Sequence, residues 1–165
     1  MPRLLAVRTL IFKYSGNKKM ALASAPLKLC VVNQSDITYD DKDHFIERNG
    51  VSYAGTHLII DLWGAKNLDN INLIEAAFRE AVVNAGATLL HTHFHHFTPN
   101  GGVSGVAVLA ESHISIHSWP EKGYAALDVF MCGDAQPHQT IQIFKKAFSP
   151  DRILLNEQMR GGTFA

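Results

Sequence analysis

Cysteine is scarce in this sequence, which limits the classes of protein it can belong to. Cys30 and Cys132 are its two cysteines, too few for a disulfide framework, so we interpret them as reduced thiols of a cytoplasmic protein. Long apolar runs are lacking too, since none reaches the roughly 18 residues of a transmembrane helix. We therefore expect no membrane partner.

Net charge is lacking as well. The 15 basic and 15 acidic residues cancel, so no overall charge favours nucleic acid or an anionic membrane as a partner. The 165 residues, 47% of them hydrophobic, suffice for one domain with a substantial core. Histidine is the residue type in excess, with four of the nine inside residues 91–96.

The N-terminal third differs in composition from the rest of the chain. Residues 1–20 contain five basic and no acidic side chains, and no motif follows before residue 55. We predict that residues 1–54 are a variable N-terminal extension, partly disordered or due to a mis-assigned start, with Met20 as the alternative initiator. A cationic targeting peptide is another interpretation. The predicted domain then covers residues 55–165.

Hydrophobic periodicity predicts the elements of this domain. A helix is predicted over residues 68–85, capped by Asp69 or Asn70 and ended by Gly86. Its apolar stripe consists of Ile71, Ile74, Phe78 and Val82. Further elements are a helix over 137–148 and strands over 56–63, 87–97, 103–110, 111–119, 124–132 and 153–155. This order predicts an α+β two-layer sandwich, with helices packed on one face of a mainly antiparallel sheet.

Residues 110–121 break the apolar pattern with polar side chains. His113, Ser115 and His117 alternate with Ile114 and Ile116, which is typical of a half-buried strand. The polar face of that strand carries two imidazoles and a hydroxyl. A hydrogen-bonded surface is the ordinary interpretation of such a row, and a functional site is the alternative.

A second group of histidines favours a different chemistry. His91, His93 and His95 share one face of a predicted strand and could converge on a single metal ion. No acidic residue or cysteine lies near them in sequence to complete a site. A polar sheet face is therefore the competing interpretation.

Ser112 offers a nucleophile for two reactions. With His117, either Ser112 or Cys132 could form a hydrolytic centre, although the Gly-x-Ser-x-Gly motif is missing. Alternatively, the Ser112 hydroxyl could attack the carbonyl carbon of Glu111 and convert the amide to an ester. Removal of the α-proton by a base such as His117 then leaves dehydroalanine, which hydrolyses to a pyruvoyl group. Every chain contains X-Ser bonds, so this chemistry alone does not select Ser112.

A long, ordered series of motifs resembles the proenzymes of prokaryotic S-adenosylmethionine decarboxylases, over about residues 55–148. The matching segments are Gly55-Thr56-His57, the turn 97–102, Gly102-Val103-Ser104-Gly105-Val106, Ala110-Glu111-Ser112-His113-Ile114-Ser115-Ile116-His117-Ser118-Trp119-Pro120-Glu121, Gly123-Tyr124-Ala125-Ala126-Leu127-Asp128-Val129-Phe130 and Cys132-Gly133. Ser118 departs from the family, which more often has threonine there.

The resemblance implies that the proenzyme cleaves itself by serinolysis between Glu111 and Ser112. The products are a β chain of residues 1–111 and an α chain of residues 112–165 that begins with a pyruvoyl group made from Ser112. His117 matches the histidine that accepts the α-proton during this processing. The pyruvoyl group is then the cofactor, and neither pyridoxal phosphate nor a metal is expected.

The resemblance also assigns residues to substrate binding and catalysis. Ser104 matches the hydroxyl that assists the ester intermediate, and Cys132 matches the proton donor of the decarboxylation. Phe97 and Glu121 match positions that hold the nucleoside, by stacking and by hydrogen bonding to the ribose. The implied substrate is S-adenosyl-L-methionine, which forms a Schiff base, loses CO2 and becomes the aminopropyl donor for spermidine synthesis.

The spacing of two of these residues raises a geometric problem. Ser112 and His117 are five positions apart, so a regular strand places them on opposite faces. Either the chain bends at the cleavage site, or His117 acts from a neighbouring subunit or after cleavage. The resemblance favours a dimer of αβ units, and it leaves His113 and Ser115 to hold the new chain end by hydrogen bonds.

Two other functions stay open on the sequence. One is a pyruvoyl decarboxylase of the same fold that acts on an amino acid such as arginine or ornithine. The other is a non-catalytic subunit or binding module that stays uncleaved.

Overall fold

The computed structural model describes residues 8–13, 45–48 and 50–162. The strands are β1 (Arg8–Lys13), β2 (Ile46–Arg48), β3 (Val51–Tyr53), β4 (Gly55–Trp63), β5 (Leu89–His96), β6 (Val103–Leu109), β7 (Ser112–Trp119), β8 (Tyr124–Cys132) and β9 (Arg152–Arg160). The helices are α1 (Ile71–Asn84) and α2 (Gln139–Phe148), and a 3-10 turn, Pro120–Lys122, joins β7 to β8.

Seven of these strands form one sheet in the order β1-β9-β4-β8-β7-β6-β5. Every pair of neighbours in it is antiparallel. Strands β2 and β3 pair with each other as a separate hairpin. The predicted α+β sandwich with a mainly antiparallel sheet is confirmed.

The core lies between the two helices and one face of the sheet. Alternate residues of β4 (Leu58, Ile60 and Leu62) are buried, and they belong to one apolar cluster with Phe78 of α1 and Phe144 of α2. The same alternation runs along β7 and β8. Because period-2 alternation sends successive side chains to opposite faces, each of these strands presents its other residues on the face away from the helices.

Helix α1 begins directly after its N-cap residue, Asn70. The Asn70 side-chain Oδ1 accepts a hydrogen bond from the Leu73 N–H at 3.1 Å, so Asn70, and not Asp69, is the N-cap. Gly86 follows the helix with φ of 71°, the left-handed conformation that a glycine adopts without strain. Among the described residues no helix is long and apolar enough to span a membrane.

The structure differs from the sequence prediction at both ends of the chain. The sequence predicts a strand over residues 153–155 only, whereas β9 is nine residues long. The longer strand forms because other strands pair with it on both sides. Residues 8–13, which the sequence pattern assigns to a variable extension, pair with β9. Met20 and most of the predicted extension lie outside the described residues, so their assignment stays a prediction.

Replacing Phe78 with alanine tests the core. The Phe78 ring is fully buried and lies 5.2 Å from the Phe94 ring and 5.5 Å from the Phe144 ring. We expect Phe78→Ala to lower the free energy of unfolding by about 3–5 kcal/mol, measured by circular dichroism in guanidinium chloride. Val83→Ala, at an exposed position of the same helix, is the control and should change it by no more than about 0.5 kcal/mol. Equal effects would contradict this core.

Candidate active site

The bond between Glu111 and Ser112 lies at a tight turn between β6 and β7. Leu109 and Ser112 are paired across the hairpin, which leaves Ala110 and Glu111 to make the turn. Glu111 has a φ of 59°, a left-handed conformation that residues other than glycine rarely adopt. The predicted cleavage site is therefore a strained point of the backbone.

The Ser112 hydroxyl is held next to Cys132. Ser112 is 9% exposed, and its Oγ accepts a hydrogen bond from the backbone N–H of Cys132 at 3.1 Å. The β7–β8 ladder begins at the pair His113 and Phe130, so this amide donates to a side chain just beyond the ladder. The structure thus brings together Ser112 and Cys132, two of the residues predicted for the site.

The surroundings of Cys132 favour its neutral thiol. Burial raises the pKa of this thiol, and the negative charge of Glu111 raises it further. A thiol with a raised pKa stays protonated at neutral pH, so it is a poor nucleophile and a suitable proton donor. This environment agrees with the role implied by the resemblance and disfavours the hydrolytic Cys132–His117 alternative.

A second pair of predicted residues lies on β6 and β7. Ser104 and His117 are opposite each other in the ladder, and the Ser104 Oγ is 2.8 Å from the His117 Nδ1. The residue after Ser104 has to be glycine. The Phe94 ring of β5 packs directly over Gly105, where any Cβ would collide with it. The glycine in this motif therefore serves the packing of β5 on β6.

The two pairs are far apart within one chain. Along β7, Ser112 and His117 are five residues apart, about 17 Å at 3.4 Å per residue. Ser112 lies on the buried face of β7 and His117 on the exposed one. The predicted geometric problem is therefore present: β7 runs as a regular strand from Ser112 to Trp119, and no bend inside it brings His117 to Ser112.

Phe97 and Glu121 lie at the same end of the sheet as the Ser104–His117 pair. Phe97 follows β5 with 49% of its surface exposed, and its ring centroid is 4.5 Å from that of His95. Glu121 is exposed in the 3-10 turn that follows β7. Ser118 supports this end: its buried hydroxyl donates to the Leu68 carbonyl at 2.7 Å and accepts from the Val103 N–H at 2.8 Å.

A polar network on the exposed sheet face went unrecognised in the sequence. The His57 Nε2 is 3.1 Å from the Asp128 Oδ1, and the His57 Nδ1 is 3.2 Å from the Arg160 guanidinium. The Ser115 hydroxyl donates to the Asp128 Oδ2 at 3.4 Å. The residues of this network come from four strands. Because positions such as 57 and 128 are far apart in the sequence, no local pattern predicts that they meet.

His113 packs beside this network, with its ring 5.7 Å from the Phe130 ring and 6.3 Å from the His57 ring. Burial lowers the pKa of His113, and the nearby imidazole of His57 lowers it further. His113 is therefore a largely neutral ring packed against aromatic neighbours. Its predicted role in holding the new chain end stays a prediction.

The histidines of β5 do not come together. Within the described residues, no group of three or more histidine, cysteine, aspartate or glutamate side chains could hold a metal ion. His91, His93 and His95 are all exposed on this edge strand of the sheet. The metal interpretation of this row has no support in the described residues.

Comparison with known proteins places this site in a family. The model of the S-adenosylmethionine decarboxylase family matches residues 56–161, well over half of the chain. A proenzyme of this name from Thermomicrobium roseum is 44% identical over 108 residues, covering 65% of this chain and 93% of the relative. The corresponding proenzyme of Methanococcus maripaludis strain C7 is 50% identical over 110 residues, covering 65% and 89%.

A solved structure agrees with these sequence matches. The adenosylmethionine decarboxylase of Aquifex aeolicus is 35% identical in sequence, and its crystal structure superimposes with a TM-score of 0.59. The similarity covers 65% of this chain and 90% of that structure. The residues matched by the family model, 56–161, include all of β5 to β9, both helices and all but the first residue of β4.

The effect of Glu111 on Cys132 can be measured by alkylation. In a Cys30→Ser, Ser112→Ala background, which leaves one thiol, the pH midpoint of iodoacetamide labelling should lie above that of a free cysteine. Glu111→Gln removes the negative charge, so the midpoint should fall and labelling at pH 8 should accelerate. Glu121→Gln, at the other end of the sheet, is the matched control. An unchanged or higher midpoint in Glu111→Gln would refute the coupling.

Proposed function

This chain belongs to the S-adenosylmethionine decarboxylase family and is an enzyme of that kind; we propose that it is a self-cleaving, pyruvoyl-dependent decarboxylase of S-adenosyl-L-methionine. Its product is the decarboxylated substrate that donates aminopropyl groups in spermidine synthesis, and the two cysteines favour a cytoplasmic location. The observation that carries the proposal is the Ser112 hydroxyl, fixed on the Cys132 amide directly after a left-handed Glu111.

The turn favours cleavage because the residue before the bond that breaks has a strained backbone conformation. A non-glycine residue in the left-handed region costs about 1–3 kcal/mol, and cleavage after Glu111 releases that cost. The Ser112 Oγ attacks the Glu111 carbonyl carbon, a C–O bond forms and the C–N bond breaks. Loss of the Ser112 α-proton then expels the Glu111 carboxylate, and the resulting dehydroalanine hydrolyses to a pyruvoyl group and ammonia.

The residues around Ser112 fit the group that this reaction produces. The pyruvoyl group, once formed, supplies an electron sink for the negative charge left by the departing CO2. Cys132 delivers a proton to the α-carbon of the substrate, because its raised pKa keeps the thiol protonated. If the proton went to the former carbonyl carbon of the pyruvoyl group instead, hydrolysis would convert that group to alanine and release the product as an aldehyde, so the enzyme would be inactivated.

A dimer resolves the distance between Ser112 and His117. We propose that two chains pack with their exposed sheet faces together, about 10 Å apart as in other sheet-on-sheet contacts. A two-fold axis then brings the Ser104–His117 end of one chain over the end of the other sheet where β7 begins, and forms two equivalent sites. The Ser112 side chain stays on the buried face, so in each site the His117 imidazole of one chain approaches the α-carbon of Ser112 in the other chain from the exposed face, on which Cys132 also lies. Two tryptophans of the exposed face, Trp63 and Trp119, support this contact because they are more than a third exposed in the single chain.

In this dimer the nucleoside is bound by residues from the His117 end. The half-exposed Phe97 ring can stack on the adenine and face the sulfonium cation, which an aromatic ring attracts. The exposed Glu121 carboxylate can accept hydrogen bonds from the ribose hydroxyls. A decarboxylase of arginine or ornithine would need neither residue, which favours the adenosyl substrate.

Denaturing electrophoresis and intact-mass measurement test the self-cleavage. The full chain should give two polypeptides, residues 1–111 and residues 112–165, the second with a pyruvoyl terminus. Ser112→Ala should stay whole and inactive because the attacking hydroxyl is missing. Cys132→Ala should still cleave but release CO2 from S-adenosyl-L-methionine at least about 100-fold more slowly, the usual contribution of a general acid.

The controls separate the rival functions. A single 18.2 kDa band after long incubation would support the uncleaved binding module and exclude self-cleavage. Release of CO2 from arginine or ornithine, but not from S-adenosyl-L-methionine, would identify a decarboxylase of amino acids. Unimpaired turnover by Cys132→Ala would remove Cys132 from the mechanism.

Co-expression of two inactive variants tests the shared site. His117→Ala and Ser112→Ala should each stay uncleaved alone. Together they form mixed dimers in which the Ser112 of one chain meets the His117 of the other, so the His117→Ala chain should be cleaved. Tagging the two variants differently identifies the cleaved chain by mass. Cleavage of neither chain in isolated mixed dimers would place both residues' action within one chain.

A further inference from the structure

We propose that strand β1 holds the cleaved enzyme together by clasping β9, the last strand of the α chain. The inference builds on the self-cleavage proposed above. It gives a role to an N-terminal segment that lies outside residues 56–161, the region matched by the family model.

Cleavage after Glu111 would divide the sheet between two polypeptides. The β chain would contain β1, β4, β5 and β6, and the α chain would contain β7, β8 and β9. In the order β1-β9-β4-β8-β7-β6-β5, β9 is separated from the other two α-chain strands by β4. Its neighbours in the sheet thus both belong to the β chain.

Strand β9 would lose buried apolar contacts and backbone hydrogen bonds if it separated from the β chain. Its residues Ile153 and Leu155 are buried in the apolar cluster between sheet and helices. On one side it pairs with β4 over its whole length, and on the other side Arg152–Glu157 pair with Arg8–Lys13. Without β1, one edge of β9 would present unpaired N–H and C=O groups, the kind of edge to which other chains add.

The antiparallel pairing of β1 with β9 can be tested at individual residues. In an antiparallel strand, successive residues direct their N–H and C=O groups to opposite neighbours. Within residues 152–157, every second amide therefore donates to β1 and the others donate to β4. Loss of β1 should expose the first set alone.

Site-resolved hydrogen exchange tests this pattern. We compare the full chain with a variant lacking residues 1–19, which removes β1, and with a control variant lacking residues 1–7, which keeps it. In the first variant every second amide of residues 152–157 should exchange at least about tenfold faster, the order expected when one or two hydrogen bonds are lost. The control should match the full chain. Unchanged protection throughout residues 152–157 after removal of β1 would overturn the proposal.

Proline variants test the clasp in the full-length chain. Leu10→Pro and Ile11→Pro remove adjacent amides, of which one faces β9 and the other faces away. The variant that removes the amide facing β9 should release the α chain in guanidinium chloride about tenfold faster, whereas the other variant should have little effect. Size-exclusion chromatography measures the release. Equal effects of both would contradict the pairing.

A Ser112→Ala background separates this inference from the proposed cleavage. In that single polypeptide the exchange pattern should still depend on β1, whereas no α chain can be released. A full chain that never cleaves would refute the proposed function and still leave the amide pattern as a test of the strand pairing. A cleaved chain whose release rate is independent of β1 would refute the clasp alone.

Discussion

The hydrogen bond from the Cys132 amide to the Ser112 hydroxyl is the contact on which the candidate site depends. The turn at Ala110 and Glu111 ends β6, β7 starts at Ser112, and the paired ladder of β7 with β8 begins one residue later, at His113. The hydroxyl therefore takes the place of a backbone acceptor. A shift of one residue in this register would turn Ser112 to the opposite face and separate it from Cys132.

Packing of helices on only one face of the sheet accounts for much of the remaining arrangement. The helix side is an apolar core, while the other side carries the Ser104–His117 pair, the His57–Asp128 network and large aromatic rings. A single chain leaves this polar and aromatic face uncovered. The proposed packing against a second copy would cover this face, and it would also bring the Ser104–His117 pair of one chain to the cleavage site of the other.

Local patterns in the sequence predicted the individual strands and helices and their buried faces. Alternation along residues 124–132 predicted β8 to the residue, and the apolar stripe of α1 predicted its buried face. The family resemblance assigned Ser104 and His117 to the same reaction, and the structure added the contact between them. The partners of β9 and the contact between His57 and Arg160 span about a hundred residues or more, so only the folded sheet reveals them.

In the proposed mechanism, Glu111 links processing to catalysis through its backbone and its charge. In the intact chain its backbone has a strained left-handed conformation directly before the bond to Ser112, and its charge raises the pKa of the Cys132 thiol. Under the proposed cleavage, Glu111 becomes the end of the β chain and gains an α-carboxylate. Each carboxylate that stays near Cys132 disfavours its thiolate. The reaction that creates the electron sink would thereby also help to keep the proton donor protonated, provided that the β-chain end stays in place, as the shared sheet favours.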